Sequence, residues 1–267
     1  MSTPPPPAAT APPTRAAEIL AGVNARDVVA GWDDAHRYSP APRHRRRLVL
    51  DWVRPLAFAD CLDAGCAQPY LLHEIVRRHR CVGSGCDISD RVMSDNQDDP
   101  LGCQFRSLDL TRQRWPGDKR FDLVVCSEVL EHVEDWPAAV RTLAVMTGRH
   151  LLITVPSGPV RAMDRMVGHH RHFDGRELAA AVAAAGLAVV RQRKWGFPVH
   201  SLYKALISRI APDKLYDSFA TGRYSWPKRL VSDALWLAFF ANDPFRGGAQ
   251  YMLLAERPAA AGEGGRA

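Results

Sequence analysis

Short runs of apolar and β-branched residues alternate with segments of helical periodicity between about residue 45 and residue 190. Such alternation is typical of βαβ units, in which parallel strands form a sheet and helices cover its faces. The predicted strands are 57–63, 81–87, 104–109, 121–126, 150–155, 187–193 and 249–256. The fourth of these is apolar throughout, which predicts burial on both of its faces. The pattern therefore predicts an α/β fold.

Helices are predicted between these strands from their periodicity and from their end signals. Residues 70–79 and 137–147 carry apolar residues at helical spacing. Asp174 is predicted to cap a further helix, with Glu177 three residues later, and Gly186 to end it.

The roughly 50 residues between the last two strands have the periodicity of amphipathic helices. Their apolar stripes are Leu202, Leu206 and Ile210, and Leu230, Ala234, Leu237 and Ala238. We predict a helical insertion at 198–248. It serves either as core or as the surface of a homodimer, or else as a lid over a pocket for an apolar acceptor.

The ends of the chain differ in composition from its middle. We predict a Pro-rich disordered tail at 1–14, two helices at 15–54, an α/β domain at 55–256 and a disordered tail at 257–267. The first residues lack the basic and apolar regions of a secretory signal, and no apolar run is long enough to span a membrane. We therefore expect a soluble, cytoplasmic protein.

The net charge and the cysteine content exclude few classes of function. The formal net charge is +6, and five consecutive residues, Arg43 to Arg47, contain four arginines. No aromatic residues are interleaved for base stacking, so this run is expected to be a solvated helix face rather than a nucleic-acid patch. The six cysteines lack the short CxxC spacing of zinc sites, and we expect them to be reduced and buried.

Candidate chemistry follows the first two strands. The first strand ends in LDAGCAQP at 62–69, and Asp87 closes the second strand 24 residues after Asp63. A glycine such as Gly65 at a strand end lets the backbone approach a ligand, and an acid at the tip of the second strand can accept hydrogen bonds from both hydroxyls of a ribose. This spacing indicates a nucleotide-type cofactor site.

LDAGCAQP resembles the first motif of class I S-adenosylmethionine (SAM) dependent methyltransferases, and GCDIS at 85–89 resembles their second motif. FDLVVCSEVLEHVED at 121–135 is similar to the strand-4 segment of small-molecule members of the ubiquinone-biosynthesis type. The resemblance covers residues 55–195 and the final strand. It implies a doubly wound, Rossmann-like sheet of seven strands in the order 3-2-1-4-5-7-6, with the last strand antiparallel, and SAM as the cofactor.

The resemblance also implies which residues contact the cofactor. It places Asp63 and Gly65 near the methionine part of SAM, Asp87 at the ribose and Asp109 near the adenine. The implied contacts are Asp63, Gly65, Cys66, Ala67, Asp87, Ile88, Asp109, Leu110, Ser127 and Glu128.

The first motif departs from the family pattern at two positions. The family continues with Gly-x-Gly, whereas this chain has Ala67 and Pro69. Pro69 fits as the first residue of a helix, where its missing N–H is tolerated, and Ala67 adds one methyl group. We expect SAM to bind, while a non-catalytic role for the fold stays open.

Methyl transfer needs aligned reactants and, for a hydroxyl acceptor, a base. His132 in the EVLEH segment and His169 and His172 in the run GHHRHF are the candidate catalytic residues. A capping or packing role stays open for each of them. No metal site is predicted, because an H-H-x-H run gives ligands only if they converge in space.

These observations predict a SAM-dependent methyltransferase (EC 2.1.1.-) that acts on a hydroxyl or amine. The acceptor is expected to be a small metabolite, a sugar-containing natural product of secondary metabolism or a lipid-linked precursor. A non-catalytic binding protein of the same fold and a nucleic-acid methyltransferase are the alternatives.

Overall fold

The computed structural model describes residues 34–209 and 223–259 of the chain. Its strands are β1 (Asp60–Ala64), β2 (Val82–Asp87), β3 (Gln104–Ser107), β4 (Phe121–Ser127), β5 (Thr147–Pro156), β6 (Ala188–Trp195) and β7 (Gln250–Glu256). They form one sheet in the order β3-β2-β1-β4-β5-β7-β6. Only β7 runs antiparallel to its neighbours in this sheet. The predicted fold class and strand order are confirmed.

The helices are α1 (Pro40–Val53), α2 (Tyr70–His79), α3 (Asp90–Asp95), α4 (Trp136–Met146), α5 (Ala162–Met166), α6 (Gly175–Ala184), α7 (Val199–Ile207) and α8 (Trp226–Ala238). Single 3₁₀ turns lie at Pro116–Asp118, Leu130–His132 and Phe239–Asn242. Of the first helix predicted within 15–54, residues 34–38 are described and are helical, and its earlier residues lie outside the described part of the chain. The tail at 1–14 and residues 260–267 of the second tail also lie outside it.

Helix α2 has the predicted bounds, and most other elements shift at their ends by one to three residues. Asp174 caps α6 as predicted, but its carboxylate accepts from the amide of Arg176. Glu177 does not complete a capping box, because its carboxylate accepts both hydrogen bonds from the guanidinium of Arg171. The stronger attraction of a charged donor explains this choice of partner.

Strand β4 is buried on both faces, as its composition predicts. Leu123 and Val125 belong to the apolar cluster under one face of the sheet, and Val124 and Cys126 belong to the cluster under the other. All six cysteines are buried, as predicted. The core therefore encloses the middle of the sheet from both sides.

The expectation that residues 43–47 form a solvated helix face is wrong. Each arginine side chain of the run meets an acid from another part of the fold. The pairs are Arg43 with Asp233, Arg45 with Glu128, Arg46 with Glu74, and Arg47 with both Asp51 and Asp243. His44 between them is fully buried against the rings of Trp195, Phe239 and Phe240. The run lies at a packed junction because α1 docks against α8 and the 3₁₀ turn that follows it.

The predicted helical insertion is present as α7 and α8, but its apolar stripes are not core. Leu202, Leu206, Leu230 and Leu237 are all more than half exposed. Ile210 lies outside the described residues. Among the described helices, none combines the length and the apolar character required to cross a bilayer.

The junction of α6 and β7 gives a test of the packing. A Cβ added to Gly175 would lie 2.3 Å from Cε2 of Tyr251, whose hydroxyl donates to the carbonyl of Gly175. Because this buried ring has no free space to retreat into, Gly175→Ala is expected to lower the free energy of unfolding by about 1–3 kcal/mol. Urea unfolding followed by circular dichroism measures the loss.

Gly247→Ala is the matched control for Gly175→Ala. A Cβ at Gly247 would have its nearest neighbour 3.8 Å away, at Phe197. This variant should stay within about 0.5 kcal/mol of the wild type. Equal stability of both variants would contradict the packing described for Tyr251.

Candidate functional site

The residues that the motifs single out meet at the carboxyl edge of the parallel strands. Asp63 of β1 pairs in register with Gly85 of β2, and Asp87 ends β2 opposite Ser107 of β3. Ser127 ends β4 opposite Thr154. In doubly wound sheets, ligands bind at this edge, at the point where the strand order reverses. Here the order reverses between β1 and β4.

The turn after β1 depends on Gly65. Its φ is 78°, in the left-handed region, and a Cβ there would lie 2.2 Å from Cγ2 of Val129. The amides of Gly65 and Cys66 both donate to the carbonyl of Cys86, at 2.7 and 2.9 Å. These contacts hold the first turn against β2 and against the loop that follows β4.

Ala67 occupies a backbone conformation that favours glycine. Its φ is 41°, a region that costs an L-residue roughly 1–2 kcal/mol. The amide of Ala67 donates to Oδ2 of Asp87 at 3.1 Å, and its carbonyl accepts from Nδ2 of Asn96 at 3.0 Å. Two hydrogen bonds thus hold the strained turn that the family builds with glycine.

Pro69 lies one position earlier relative to α2 than predicted. It is the N-cap residue, with φ −79° and ψ 32°, and the helix begins at Tyr70. Its carbonyl accepts from the amide of His73. Its missing N–H removes no helical hydrogen bond, because an N-cap residue has no intrahelical acceptor for its amide.

Both carboxylate oxygens of Asp87 are oriented by backbone amides. Oδ1 accepts from the amide of Ser89 at 3.1 Å, and Oδ2 accepts from Ala67. Each oxygen keeps further acceptor capacity, because a carboxylate has about four lone-pair sites. Ile88 beside it is 72% exposed and presents an apolar surface at the mouth of the turn.

Asp63 is buried behind this turn, and its environment disfavours a negative charge. Burial, and secondly the negative charge of Asp87, raise the pKa of Asp63 to about 7. The protonated form of this carboxyl group therefore persists to higher pH than in an ordinary aspartate. A cationic ligand beside it would favour the ionised form.

The segment after β3 is fixed by local hydrogen bonds. Oδ1 of Asp109 accepts from the amide of Thr111 at 2.9 Å and from its hydroxyl at 2.7 Å. These bonds lower the pKa of Asp109. Leu110 is buried in the core beside it, so its side chain does not line the edge.

Glu128 follows β4 with a φ of 57°, which is strained for a residue with a side chain. The hydroxyl of Thr154 lies 2.9 Å from that of Ser127 and donates to Oε1 of Glu128 at 3.2 Å. Nη1 of Arg45 lies 3.2 Å from Oε2 of Glu128. The strain is maintained by contacts from β5 and α1, which aim this carboxylate at the edge of the sheet.

Glu131, three residues later, is fully buried, and neither of its carboxylate oxygens has a hydrogen-bond partner among the described residues. Burial, and secondly the charge of Glu128, raise the pKa of Glu131 well above its usual range. A buried carboxyl in such a place is either neutral or compensated by a cation.

The three candidate histidines come together, although 37 residues separate His132 from His169. The rings of His132 and His169 have centroids 4.8 Å apart, and Nδ1 of His169 lies 3.1 Å from Nε2 of His172. Asp164 lies 3.6 Å from Nε2 of His172 and 3.2 Å from Nζ of Lys204. The cluster joins the turn after β4 to the segment between α5 and α6.

The burial of this cluster favours the neutral form of its histidines. Burial lowers the pKa of His169 to about 3 and lowers the pKa of His172. His132 lies at the exposed edge of the cluster, and its Nδ1 donates to the carbonyl of Gly168 at 3.2 Å in the neutral tautomer that this contact favours. Its Nε2 then carries the free lone pair.

The histidines of this cluster and the acids beside them converge in space, which their spacing in the sequence does not establish. One potential ligand atom each from Glu131, His132 and His169 lies within 4.8 Å of the others, and so do those of Asp164, His169 and His172. Neutral imidazoles and carboxylates are the donors that divalent transition metals prefer. Either set could hold such an ion.

Sequence reasoning missed four residues of this site. Arg45 was assigned to solvent, and Glu131, Asp164 and Lys204 were not singled out. Arg45 and Lys204 are brought in by contacts between distant parts of the chain, with Arg45 83 residues before Glu128 and Lys204 40 residues after Asp164. The spacing of Glu128 and Glu131 in EVLEH is the one signal that could have been found.

Comparison with known proteins agrees with this geometry. A family profile described as "Methyltransferase domain" matches residues 39–192. The ubiquinone biosynthesis O-methyltransferase of Albidiferax ferrireducens is 29% identical over 125 residues, which cover 43% of this chain and 48% of that protein. The first two curated relatives are thus matched over about half of their length, 48% and 55%.

Solved structures share the fold at low sequence identity. The magnesium protoporphyrin IX methyltransferase of Synechocystis PCC 6803, solved with bound S-adenosylhomocysteine (SAH), matches with a TM-score of 0.56 and 14% identity over 90% of this chain and 99% of that chain. The (4+2)-cyclase SpnF matches with a TM-score of 0.60 and 15% identity over 93% and 98%.

The titration of Asp63 tests the electrostatics of the site. Because its pKa is raised in the folded protein, this group stabilises the fold at acidic pH and loses that contribution as the pH rises from about 4 to 7. Carboxyl ¹³C NMR should show an Asp63 pKa near 7. Asp87→Asn should lower it but leave it above the ordinary value, since burial is the larger cause.

Asp90→Asn is the matched control, because Asp90 is an exposed carboxylate on the same connection. It should leave the pKa of Asp63 unchanged. An ordinary Asp63 pKa near 4 in the wild type would show that the carboxyl is not enclosed as described.

Proposed function

This chain belongs to the methyltransferase-domain family, and from that premise we propose that it transfers the methyl group of SAM to a hydroxyl of a small acceptor. The acceptor classes are a metabolite, a sugar-containing natural product and a lipid-linked precursor. The contact of His132 Nδ1 with the carbonyl of Gly168 at 3.2 Å, which favours the tautomer with an unprotonated Nε2, is the observation that supports a hydroxyl acceptor. Transfer to an amine is the near alternative.

The donor set at the edge suits a ligand with a ribose and positive charge. SAM supplies an electrophilic methyl group on a sulfonium sulfur. In our proposal Asp87 accepts from the ribose hydroxyls, and Asp63 lies near the methionine part, where its ionised form is favoured by the cationic ligand. The strained turn of Ala67 keeps the backbone close to this ligand.

The remaining cofactor contacts are proposed on the same basis. Asp109 is assigned to the adenine end, and Ser127 and Glu128 to the side facing the acceptor. The contacts of Glu128 with Thr154 and Arg45 hold its carboxylate in one orientation before any ligand binds. Such preorganisation lets the reactants align without rearrangement of the protein.

His132 is our proposed general base. Its Nε2 accepts the proton of the acceptor hydroxyl as the oxygen attacks the methyl carbon, while the Nδ1–H stays bonded to the carbonyl of Gly168. His169 and His172 are then positioning residues that pack against His132 and link it to Asp164. An amine acceptor, already nucleophilic when neutral, has less need of this base.

Two rival functions are separated from methyl transfer to a small acceptor by an assay of turnover and by a measurement of nucleic-acid binding. A protein of this fold is named as a cyclase, so the fold alone does not establish methyl transfer. A non-catalytic protein is distinguished by failing to produce SAH with any acceptor. A nucleic-acid methyltransferase predicts salt-sensitive binding to RNA or DNA, and the engagement of the Arg43–Arg47 side chains by acids removes the best candidate surface for it.

Asp87→Ala tests the cofactor site. Loss of hydrogen bonds to a charged acceptor should weaken SAM binding by about 10- to 100-fold, as measured by isothermal titration calorimetry. Asp90→Ala, which removes a neighbouring exposed carboxylate, should bind as the wild type does. Unchanged affinity in a folded Asp87→Ala protein would place the cofactor elsewhere.

His132→Ala tests the base. With a panel of phenol, sugar-hydroxyl and primary-amine acceptors and a coupled assay of SAH release, turnover of a hydroxyl acceptor should fall by about 10²- to 10⁴-fold. SAM affinity should stay within about twofold, because Asp87 is untouched. His79→Ala, on the far end of α2, is the matched control.

The same assay separates a base from a metal ligand. If EDTA abolishes wild-type turnover and a divalent ion restores it, the histidines and Glu131 act as ligands, and the proposed base is wrong. Full activity of His132→Ala at every pH would also reject it.

A further inference from the structure

Helix α8 carries large apolar residues on the side that faces solvent as well as on the side that faces the protein. The side that faces the protein carries Ser232, Trp236 and Phe239, while Trp226, Leu230 and Leu237 are 77%, 62% and 61% exposed. At 100° per residue, the exposed apolar residues fall within one face of about 140°. These residues, Trp226, Leu230, Val231, Ala234, Leu237, Ala238 and Ala241, form what we call the α8 stripe.

Positive charge accompanies the α8 stripe. Arg223 and Arg229 are exposed at the amino-terminal end of the helix. The guanidinium of Arg229 lies 4.2 Å from the ring centre of Tyr38. Within α8 the one acid is Asp233, and its carboxylate is bound by Arg43. The described surface of the helix thus presents apolar residues and cations without a free acid.

We propose that the α8 stripe docks on a bilayer that contains anionic lipids. A helix with Trp and Leu on one face and Arg beside them lies in the plane of the membrane interface, where its apolar face enters the acyl region and its cations meet the headgroups. The exposed tryptophan near one end of the helix suits the interfacial zone.

A second copy of the chain is the competing occupant, and it is one of the roles that the sequence pattern leaves open for the insertion. A two-fold interface sets a patch against itself, so the cations of one copy need acids on the other. The described face of α8 offers none, since Asp233 is already neutralised by Arg43. Charge complementarity therefore favours an anionic surface.

The 3₁₀ turn that follows α8 contacts α7, and α7 reaches the candidate site. Helix α7 exposes Leu202 and Leu206, and its Lys204 reaches Asp164 of the histidine cluster at 3.2 Å. A docked protein would present this cluster near the membrane. If the proposed function holds, the acceptor class that fits this placement is the lipid-linked one.

Flotation of the full chain with vesicles tests the docking without any turnover. Vesicles of phosphatidylcholine with about one quarter phosphatidylglycerol should bind the protein, and pure phosphatidylcholine should bind it weakly. Binding should weaken when the salt concentration rises from 50 to 500 mM, because the headgroup attraction is screened.

Two sets of variants separate the apolar and the electrostatic contributions to vesicle binding. Leu230→Ser with Leu237→Ser should reduce binding about tenfold or more, since two side chains no longer enter the acyl region. Arg223→Glu with Arg229→Glu should reduce it about tenfold or more on anionic vesicles. Val145→Ser, at a residue of α4 that is 43% exposed, should have no effect.

SAM binding by calorimetry checks that each variant is folded and keeps this test apart from that of the proposed function. The proposal is overturned if the wild type ignores anionic vesicles or if the leucine variants bind as well as the wild type. It is equally overturned if light scattering shows a dimer that those variants convert to monomers, because a second copy would then occupy the stripe.

Discussion

The fold depends on the pairing of the cations of α1 with acids from elsewhere in the chain. Arg43 and Arg47 meet acids of the insertion, Arg46 meets Glu74 of α2, and Arg45 meets Glu128 after β4. His44 fills the space between them among aromatic rings, and burial lowers its pKa to about 3. A half-buried arginine left without its acid would be costly, so these contacts fix where α1 can dock.

The pair of Arg45 and Glu128 connects α1 to the carboxyl edge of the sheet. Glu128 holds a strained backbone only because its side chain and amide are bound from several directions. Strain of this kind persists where the surroundings over-determine it, and it concentrates at functional sites. Its presence beside Gly65, Asp63 and the histidine cluster gives a physical reason to place the chemistry here.

The order and type of the elements were accessible from the sequence, because periodicity reports which residues face a core. Helix α2, the doubly buried β4 and the cap at Asp174 follow from local rules. The partners of a long charged side chain are not local, so the roles of Arg45 and Lys204 could not be predicted. Amphipathicity shows that α8 has an apolar face, but it does not show whether protein covers that face. The strand bounds moved because main-chain pairing extends beyond the apolar run, as in β5, where Thr147 already pairs with Phe121.

The ion pairs between α1 and the insertion restrict how this protein can be recombined with its relatives. The helix precedes the sheet and the insertion follows β6, so the two are far apart in the chain, yet they share Arg43–Asp233 and Arg47–Asp243. Exchanging the insertion alone would leave two arginines facing a foreign surface, and exchanging α1 alone would leave two aspartates in the same position. A chimera that is to keep its shape must inherit both segments from one parent, which makes them a single unit of inheritance despite their separation.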